Sequence, residues 1–396
     1  IVDNYKDIVN KLDIIGVTGT NGKTTVTHLI QRIVEANNKE CALIGTLGYK
    51  LSSDGEYKEA KHTTPQAPEL QHVLTVIRDE HNIDFVSMEV SSHALVQNRV
   101  GGCQYNCAVF TNLTQDHLDY HVTMDRYFDA KALLFKRLKS GDKAIINVDD
   151  KYAQRFIDTL AEGVKLYTYG IKQDADFKAE NISFSPTGAS FECITPDGKY
   201  DIKLSMNGMF SIYNVLAALT TAYAYGFDLN KSIKALEPLK GVAGRFEIVV
   251  HHPLVIVDYA HTPDGLKNVL NAAREITPKD ANLICVFGCG GDRDATKRPK
   301  MGAIAEELAD KVIVTSDNPR SEDPQQIITD ILAGFKSVND VVVESDRGKA
   351  IEYIKDIAKE NDVVVIAGKG HEDYQILNDK TIHFDDREEA RKVFSV

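Results

Sequence analysis

Seven consecutive residues near the start of the chain, Gly19-Thr20-Asn21-Gly22-Lys23-Thr24-Thr25, have the types and order that cradle a phosphate. They follow the apolar run Ile14, Ile15, Val17 and open a helical stretch carrying Val26, Leu29, Ile30 and Val34. Strand, glycine loop, helix is the context such a cradle requires. Glycines let backbone N–H groups approach the phosphates at a helix N-terminus, Lys23 neutralises the outer phosphates, and Thr24 offers a hydroxyl to Mg²⁺. The spacing departs from the common form, since Val17 stands five positions before Gly22 while glycines occupy positions 16 and 19. A turn of purely structural origin is the competing reading, and Gly-Lys-Thr-Thr in this context favours nucleotide binding.

Three further residues fall where they can serve that loop. Glu89 ends the apolar run Ile83, Phe85, Val86, Met88, so its carboxylate emerges near the carboxyl end of a buried strand, the edge at which open α/β sheets bind ligands. His117, within Thr114-Gln115-Asp116-His117-Leu118-Asp119, follows the next strand at the same edge. A cap or ion pair accounts for Glu89 alone and a loop hydrogen bond for His117 alone; their joint placement favours Mg²⁺ ligation. Lys131 lies on a helical stripe of Tyr127, Phe128, Leu134, Phe135 and Leu138. An ammonium there must snorkel or find a charge partner.

Four polar clusters in the second half also follow apolar strands. Val255-Ile256-Val257 leads to Asp258-Tyr259-Ala260-His261-Thr262-Pro263, and Leu283 to Phe287 leads to Gly288-Cys289-Gly290-Gly291-Asp292-Arg293-Asp294. Val312-Ile313-Val314 leads to Asp317-Asn318-Pro319-Arg320, and Val363 to Ala367 leads to Gly368-Lys369-Gly370-His371-Glu372. Each alone is an ordinary turn. Four on one sheet edge, rich in Arg, Asp and Glu, suit a charged, zwitterionic ligand. Asp292 and Arg293 occupy the turn that a dinucleotide fingerprint would need, which discounts NAD.

The elements that must position these groups alternate as βα units, an α/β fold with a mostly parallel sheet. Strands are predicted near 13–18, 40–45, 83–90, 106–112 and 143–147, with helices near 24–36, 69–80, 124–138 and 151–162. Residues 164–206 alternate with Thr187-Gly188 and Pro196-Asp197-Gly198 as turns, an antiparallel extension whose Ile182, Phe184, Phe191 and Cys193 share one face. Helices near 211–225 and 229–237 follow, and Lys240-Gly241-Val242-Ala243-Gly244 breaks the pattern. The boundary falls there, between a phosphate-loop unit over 1–243 and a second, doubly wound, Rossmann-like α/β unit over 244–396. Strands of the second unit are expected near 254–258, 282–288, 311–315, 340–344 and 362–367.

The 396 residues, 43% hydrophobic and 26% charged, suffice for two or three domains at the usual ~150 residues each. A net charge of −12 argues against coating nucleic acid or an anionic membrane, so any phosphate needs a local site. Apolar runs fall far short of the ~20 residues of a membrane span. The six cysteines, at 41, 103, 107, 193, 285 and 289, form no Cys-x-x-Cys pair, as expected of free thiols in the reducing cytoplasm. Cys103 and Cys107 have half a zinc spacing and no second half. The chain opens at Ile1 rather than Met, the expectation for a fragment or a processed form.

Taken together the motifs resemble those of the Mur ligases, ATP-dependent amide-forming enzymes of peptidoglycan synthesis. The resemblance runs over nearly the whole chain and implies that the first unit is a central, P-loop ATPase-like, ATP-binding domain. It is carried by Gly19 to Thr25, His62-Thr63-Thr64-Pro65, Met88-Glu89-Val90-Ser91-Ser92-His93-Ala94-Leu95, Asp116-His117-Leu118-Asp119-Tyr120-His121, Gly244-Arg245-Phe246-Glu247 and the four clusters. It implies that Thr24, Glu89, His117 and Lys131 bind Mg²⁺, with Lys131 N-carboxylated, and that Asn214, Arg245 and Asp258 join the phosphate loop in contacting ATP. It implies that His62, Thr63, Thr64, Ser91, Gln97 and Arg99 hold UDP-N-acetylmuramoyl-L-alanyl-D-glutamate, and that Arg293, Asp317, Asn318, Pro319, Arg320, Gly368 and Glu372 hold meso-diaminopimelate. Arg320 discriminates, because a guanidinium can pair with the distal carboxylate that lysine lacks.

The implied reaction is transfer of the γ-phosphate to the D-glutamyl carboxylate, then attack of the amine on the acyl phosphate. The domains must close, with Gly241 to Gly244 as hinge and the protein working as a monomer. Two departures stand out. The family has a further N-terminal domain that grips uridine, whereas this chain starts almost at the phosphate loop, and Ser211 stands where relatives often have Asn. The alternatives are a relative that adds lysine or uses another acceptor, such as a folate-type polyglutamate ligase, and a nucleotide-binding paralogue with impaired catalysis.

Overall fold

The computed structural model describes residues 12–52, 55–60, 62–81, 83–185 and 187–395. Among them the strands form three sheets. The first contains β1 (Asp13–Thr18), β2 (Cys41–Gly45), β3 (Gly48–Lys50), β4 (Phe85–Glu89), β5 (Cys107–Phe110), β6 (Lys143–Asn147), β7 (Lys165–Gly170), β8 (Phe177–Ser185), β9 (Gly188–Thr195) and β10 (Gly198–Leu204). Their spatial order is β10-β9-β8-β7-β6-β5-β1-β4-β2-β3. β1 lies between β4 and β5, parallel to both. It is buried on both faces, as a central parallel strand must be. Ile14 meets one apolar layer with the helices Ala67–Asp79 and Met124–Phe135, while Ile15 and Val17 meet the other with Lys23–Ala36 and Met209–Ala224.

The second sheet contains β11 (Glu247–His251), β12 (Leu254–Asp258), β13 (Leu283–Phe287), β14 (Lys311–Val314), β15 (Val341–Val343) and β16 (Val363–Ala367), in the order β11-β12-β16-β13-β14-β15. All its pairs are parallel except β11 with β12. Register aligns Asp258 and Phe287 with Ala367, and Phe287 with Val314. The four polar clusters therefore leave one edge side by side, as the alternation of strands and loops predicts. The third sheet is the hairpin β17 (Tyr374–Leu377) with β18 (Lys380–His383), and the helix Asp386–Phe394 closes the described chain.

Several expectations need correction. The stretch 164–206 is antiparallel only in part: β7 runs parallel to β6, and β8 parallel to β7, before β8, β9 and β10 turn antiparallel. Tyr169 explains this, since its ring is buried and its hydroxyl donates to Phe110 O at 2.9 Å, which fixes β7 as a continuation of the parallel core. The shared face of Ile182, Phe184, Phe191 and Cys193 does pack on one core layer. The helix expected over 151–162 spans only Ala153–Ile157, and the Thr159 hydroxyl takes Phe156 O at 2.7 Å beyond its end. The helix expected over 124–138 ends at Phe135. β11, the β17–β18 hairpin and the helix Asp386–Phe394 lie outside the expected elements.

Gly244, the last residue of the hinge expected over Gly241 to Gly244, is closely packed. Gly244 has φ 67, and a Cβ there would sit 2.1 Å from His371 N. Its carbonyl accepts from Tyr259 N at 2.9 Å and its N–H donates to Glu247 at 2.8 Å. Gly244 is thus held by the loops of the second sheet. No helix among the described residues is long and apolar enough to cross a membrane.

Candidate active site

The phosphate loop is built by close approach. Gly19 has φ 151, and a Cβ there would lie 1.9 Å from Thr111 Oγ1, so only glycine lets the loop pass the end of β5. Gly22, at φ 86, starts the helix Lys23–Ala36, and a Cβ on it would lie 2.5 Å from Asn214 Oδ1. Thr20 N and Asn21 N donate to Asn112 at 2.8 and 2.9 Å, and Thr111 Oγ1 donates to Asn21 O at 2.6 Å. Lys23 folds back over the loop, donating to Gly19 O at 3.0 Å and Thr20 O at 2.7 Å. Burial lowers its pKa, with the Glu89 and Asp116 carboxylates opposing that shift.

Glu89 is fully buried at the end of β4. Thr24 Oγ1 and Thr46 Oγ1 each donate to its Oε2 at 3.1 Å, and Thr46 N donates to Oε1 at 2.8 Å. Gly45 makes room, since a Cβ there would sit 2.4 Å from Oε1. Its direct partners are hydroxyls and an amide, with the Lys23 ammonium acting on it from further off, and a buried carboxylate so placed suits a hard cation. The donor set of Thr24 hydroxyl and Glu89 carboxylate therefore fits Mg²⁺.

His117 sits in the left-handed region at φ 54. Its N–H donates to Asp116 Oδ1 at 2.9 Å and its Nε2 lies 3.2 Å from Asp116 Oδ2. Burial, against the pull of Asp116, pushes its imidazole pKa down to about 3, so the ring is neutral and has a lone pair to offer. Lys131 is 1% exposed. Rather than snorkelling, its Nζ turns inward, donates to Gly19 O at 2.6 Å and lies 4.7 Å from the Tyr127 ring centre. Burial first, then Lys23, holds its pKa well below the ordinary lysine value. The Asp116 carboxylate opposes that shift.

These groups line one cavity of about 430 Å³ between the two units, within the ~300–1,000 Å³ range of small-ligand sites. Its walls include Thr24, Glu89, His117, Lys131, Asn214, Arg245 and Asp258, with Thr63 and Ser91 at the rim. Arg245 Nη2 crosses to Thr24 Oγ1 at 3.2 Å and its guanidinium stacks 4.4 Å over Tyr259. Asn21 Nδ2 reaches Asp264 Oδ2 at 2.9 Å. Asp258 accepts Phe246 N and Ala260 N, each at 2.7 Å, and burial raises its pKa. Sequence reasoning gave no role to Asp264, His261 or Gln115, each of which bridges the units: His261 Nε2 is 3.8 Å from Asp116, and Gln115 Nε2 donates to Asp294 and Thr296 at 3.1 Å.

Beside the cavity, Thr64, Ser91, Gln97 and Arg99 form one network. Arg99 donates to Thr64 O at 3.1 Å and to Gln97 Oε1 at 2.8 Å, while Ser91 N donates to Thr64 Oγ1 at 3.1 Å. Thr63 Oγ1 accepts from Thr46 at 3.1 Å, and His62 is exposed.

The remaining expected residues gather at the second sheet's edge and do not line the 430 Å³ cavity. Asn318 Nδ2 donates to Glu372 Oε2 at 2.9 Å, and its Oδ1 accepts from Ile376 N at 2.9 Å. Burial and the Asp317 carboxylate raise the pKa of Glu372. Gly368 has φ 122, and a Cβ would fall 2.4 Å from Asp317 Oδ2. Pro319 is buried, Arg320 donates from Nη1 to Gly291 O at 2.8 Å, and Arg293 is exposed with Nη1 on Asp292 O at 2.8 Å. Lys369, fully buried and unassigned by sequence reasoning, lies 3.3 Å from Glu372 Oε2.

Comparison with known proteins places these observations in a family. Residues 17–222 match the Mur ligase middle domain and residues 244–370 match the Mur ligase glutamate ligase domain. The chain is 50% identical over 390 residues to the UDP-N-acetylmuramoyl-L-alanyl-D-glutamate–2,6-diaminopimelate ligase of Synechococcus elongatus, covering 98% of this chain and 77% of that protein. It is 48% identical over 398 residues to the enzyme of the same name from Listeria monocytogenes serotype 4b, covering 98% and 79%. A solved structure of a ligase of that name superposes with a TM-score of 0.68 at 39% identity, over 98% of this chain and 79% of that one. The folylpolyglutamate synthase of Mycobacterium tuberculosis shares the fold, with a TM-score of 0.77 at 18% identity over 100% and 95% of the two chains.

Proposed function

The chain belongs to the Mur ligase family, and from that premise we propose how its residues join an amino acid to a carboxylate at the expense of ATP. It is an ATP-dependent acid–amino-acid ligase of peptidoglycan synthesis, adding meso-diaminopimelate to UDP-N-acetylmuramoyl-L-alanyl-D-glutamate. The observation that carries the assignment of roles is the Arg245–Thr24 contact, which brings the second unit onto the phosphate loop.

Gly19 to Thr25 surround the outer phosphates of ATP with backbone N–H groups, and Lys23 leaves its two loop carbonyls to neutralise them. Asn214, Arg245 and Asp258 complete the nucleotide site. Thr24, Glu89, His117 and N-carboxylated Lys131 would hold Mg²⁺, which supplies charge stabilisation to the phosphoryl group. His62, Thr63, Thr64, Ser91, Gln97 and Arg99 present the D-glutamyl carboxylate, whose oxygen bonds to the γ-phosphorus as the β–γ bond breaks and ADP leaves. Asp317, Asn318, Arg320, Gly368 and Glu372, with Pro319 shaping the loop and Arg293 at its rim, hold diaminopimelate. Its amine displaces phosphate from the acyl carbon, loses a proton and leaves the amide. The protein acts as a cytoplasmic monomer.

The test supplies ATP, Mg²⁺ and the UDP-muramyl dipeptide with either meso-diaminopimelate or lysine, and follows phosphate release and product mass. Diaminopimelate-dependent tripeptide is expected. ATP turnover at full rate without any amino acid would overturn the assignment.

A further inference from the structure

Arg347 and Asp386 lie outside every motif discussed above, yet they form the most deeply buried ion pair of the second unit among the described residues, with both side chains 0% exposed. Arg347 opens the helix Arg347–Ile357, and Asp386 opens the helix Asp386–Phe394. Nε and Nη2 of the guanidinium each donate to one Asp386 oxygen at 2.7 Å, a two-pronged pairing that fixes the plane of the fork. The remaining donors turn the other way. Nη1 donates to Ser316 O at 3.2 Å and Nη2 to Ala367 O at 3.0 Å.

Those two carbonyls have a particular place. Ser316 directly precedes Asp317-Asn318-Pro319-Arg320, and Ala367 directly precedes Gly368-Lys369-Gly370-His371-Glu372. The strands that feed the two loops are not neighbours, because β13 stands between β14 and β16. Each is laddered to β13 and neither to the other, and beyond the strand ends the guanidinium joins the two loops, together with Gln375 Nε2, which donates to Asp317 O at 2.7 Å. Across that gap Asn318 meets Glu372 at 2.9 Å, and a Cβ on Gly368 would strike Asp317, so the loops tolerate little change in separation.

We infer that Arg347, locked by Asp386, is a positioning residue for the amino-acid substrate, holding the two loops at the separation its charged ends require. The inference rests on the amino-acid site proposed above. Lysine cannot replace the fork, since its single ammonium cannot serve a carboxylate and two diverging carbonyls in one plane. An apolar pair can replace the ion pair's bulk without replacing its hydrogen bonds.

The test uses Arg347→Lys and the double variant Arg347→Met with Asp386→Leu, with two readouts. Hydrogen exchange of the amides of Asp317, Asn318, Arg320 and residues 368–372, measured without substrates, should quicken at least tenfold in both variants while the β13 amides keep their protection. The KM for diaminopimelate should rise at least tenfold while that for ATP stays within twofold. Unchanged exchange in a folded variant overturns the clamp, and faster exchange with an unchanged amino-acid KM overturns its link to the substrate. Parent protein that makes no amide would sink the proposed reaction instead, and the exchange result would still decide the clamp. Should the double variant fail to fold, Arg347→Lys carries both readouts.

Discussion

Replacing Arg320 is the sharpest probe of amino-acid selection. Its backbone is independently fixed at φ 52, with Arg320 N donating to Ile376 O at 3.2 Å and Asn378 N donating to Arg320 O at 2.9 Å. Arg320→Ala therefore removes the side chain without freeing the loop. Nη1 is engaged by Gly291 O at 2.8 Å and Asn318 O at 3.4 Å, and neither Nε nor Nη2 has a protein acceptor among the described residues. Those donors are what a distal carboxylate would engage. Hydrogen bonds to charged groups contribute about 1.5–3 kcal/mol, and about 1.4 kcal/mol is a factor of ten, so the KM for diaminopimelate should rise about 10- to 150-fold. Arg320→Lys keeps the charge and loses the fork, so it should fall between parent and Ala. Steady-state phosphate release at saturating ATP and dipeptide measures this, with lysine as competing amine. The KM for lysine should stay within about threefold, because lysine has no distal carboxylate to lose. A diaminopimelate KM within threefold of the parent, or an equal rise for lysine, refutes the reasoning.

Two further outcomes follow from the geometry. Gln115 accepts from Lys300 Nζ and donates to Asp294 and Thr296, so Gln115→Ala and Lys300→Met break one connection between the units; their effects on kcat/KM should be strongly non-additive, with about 0.5–3 kcal/mol of coupling, and simple additivity would show that the contact is idle. Burial and the nearby Arg245 push the His371 imidazole down to about 3, whereas Glu388, 2.7 Å away, raises that of His383. In an NMR titration from pH 8 to 5 the His371 ring should remain neutral while His383 titrates above its usual value. The two have opposite linkage: the neutral preference of His371 contributes stability above the unfolded value near 6.5, lost as pH falls, and the His383 pairing contributes below it, lost as pH rises through the folded value. A His371 midpoint above 5 would contradict its burial.

How much of this was readable in sequence depends on how local the cause is. The phosphate loop, Glu89 at a strand end and the four polar clusters each follow from a few consecutive residues, because a parallel strand buried on both faces must deliver the next loop to one edge. Lys131 was legible as an anomaly on an apolar stripe, and the structure supplies what spacing could not: the inward turn onto Gly19 O. β7 was misjudged because its parallel register is set by the buried Tyr169 reaching Phe110, 59 residues away. Arg347 and Asp386 gave no signal at all. They lie 39 residues apart, and each opens a helix behind a capping aspartate, Asp346 and Asp385, where a charged residue passes for solvated surface. What buries them is the convergence of two helix starts behind β14 and β16, a property of the assembled sheet. Residues that touch ligands thus announce themselves through loop chemistry, whereas those that set the distance between loops become visible only once non-adjacent strands have been placed.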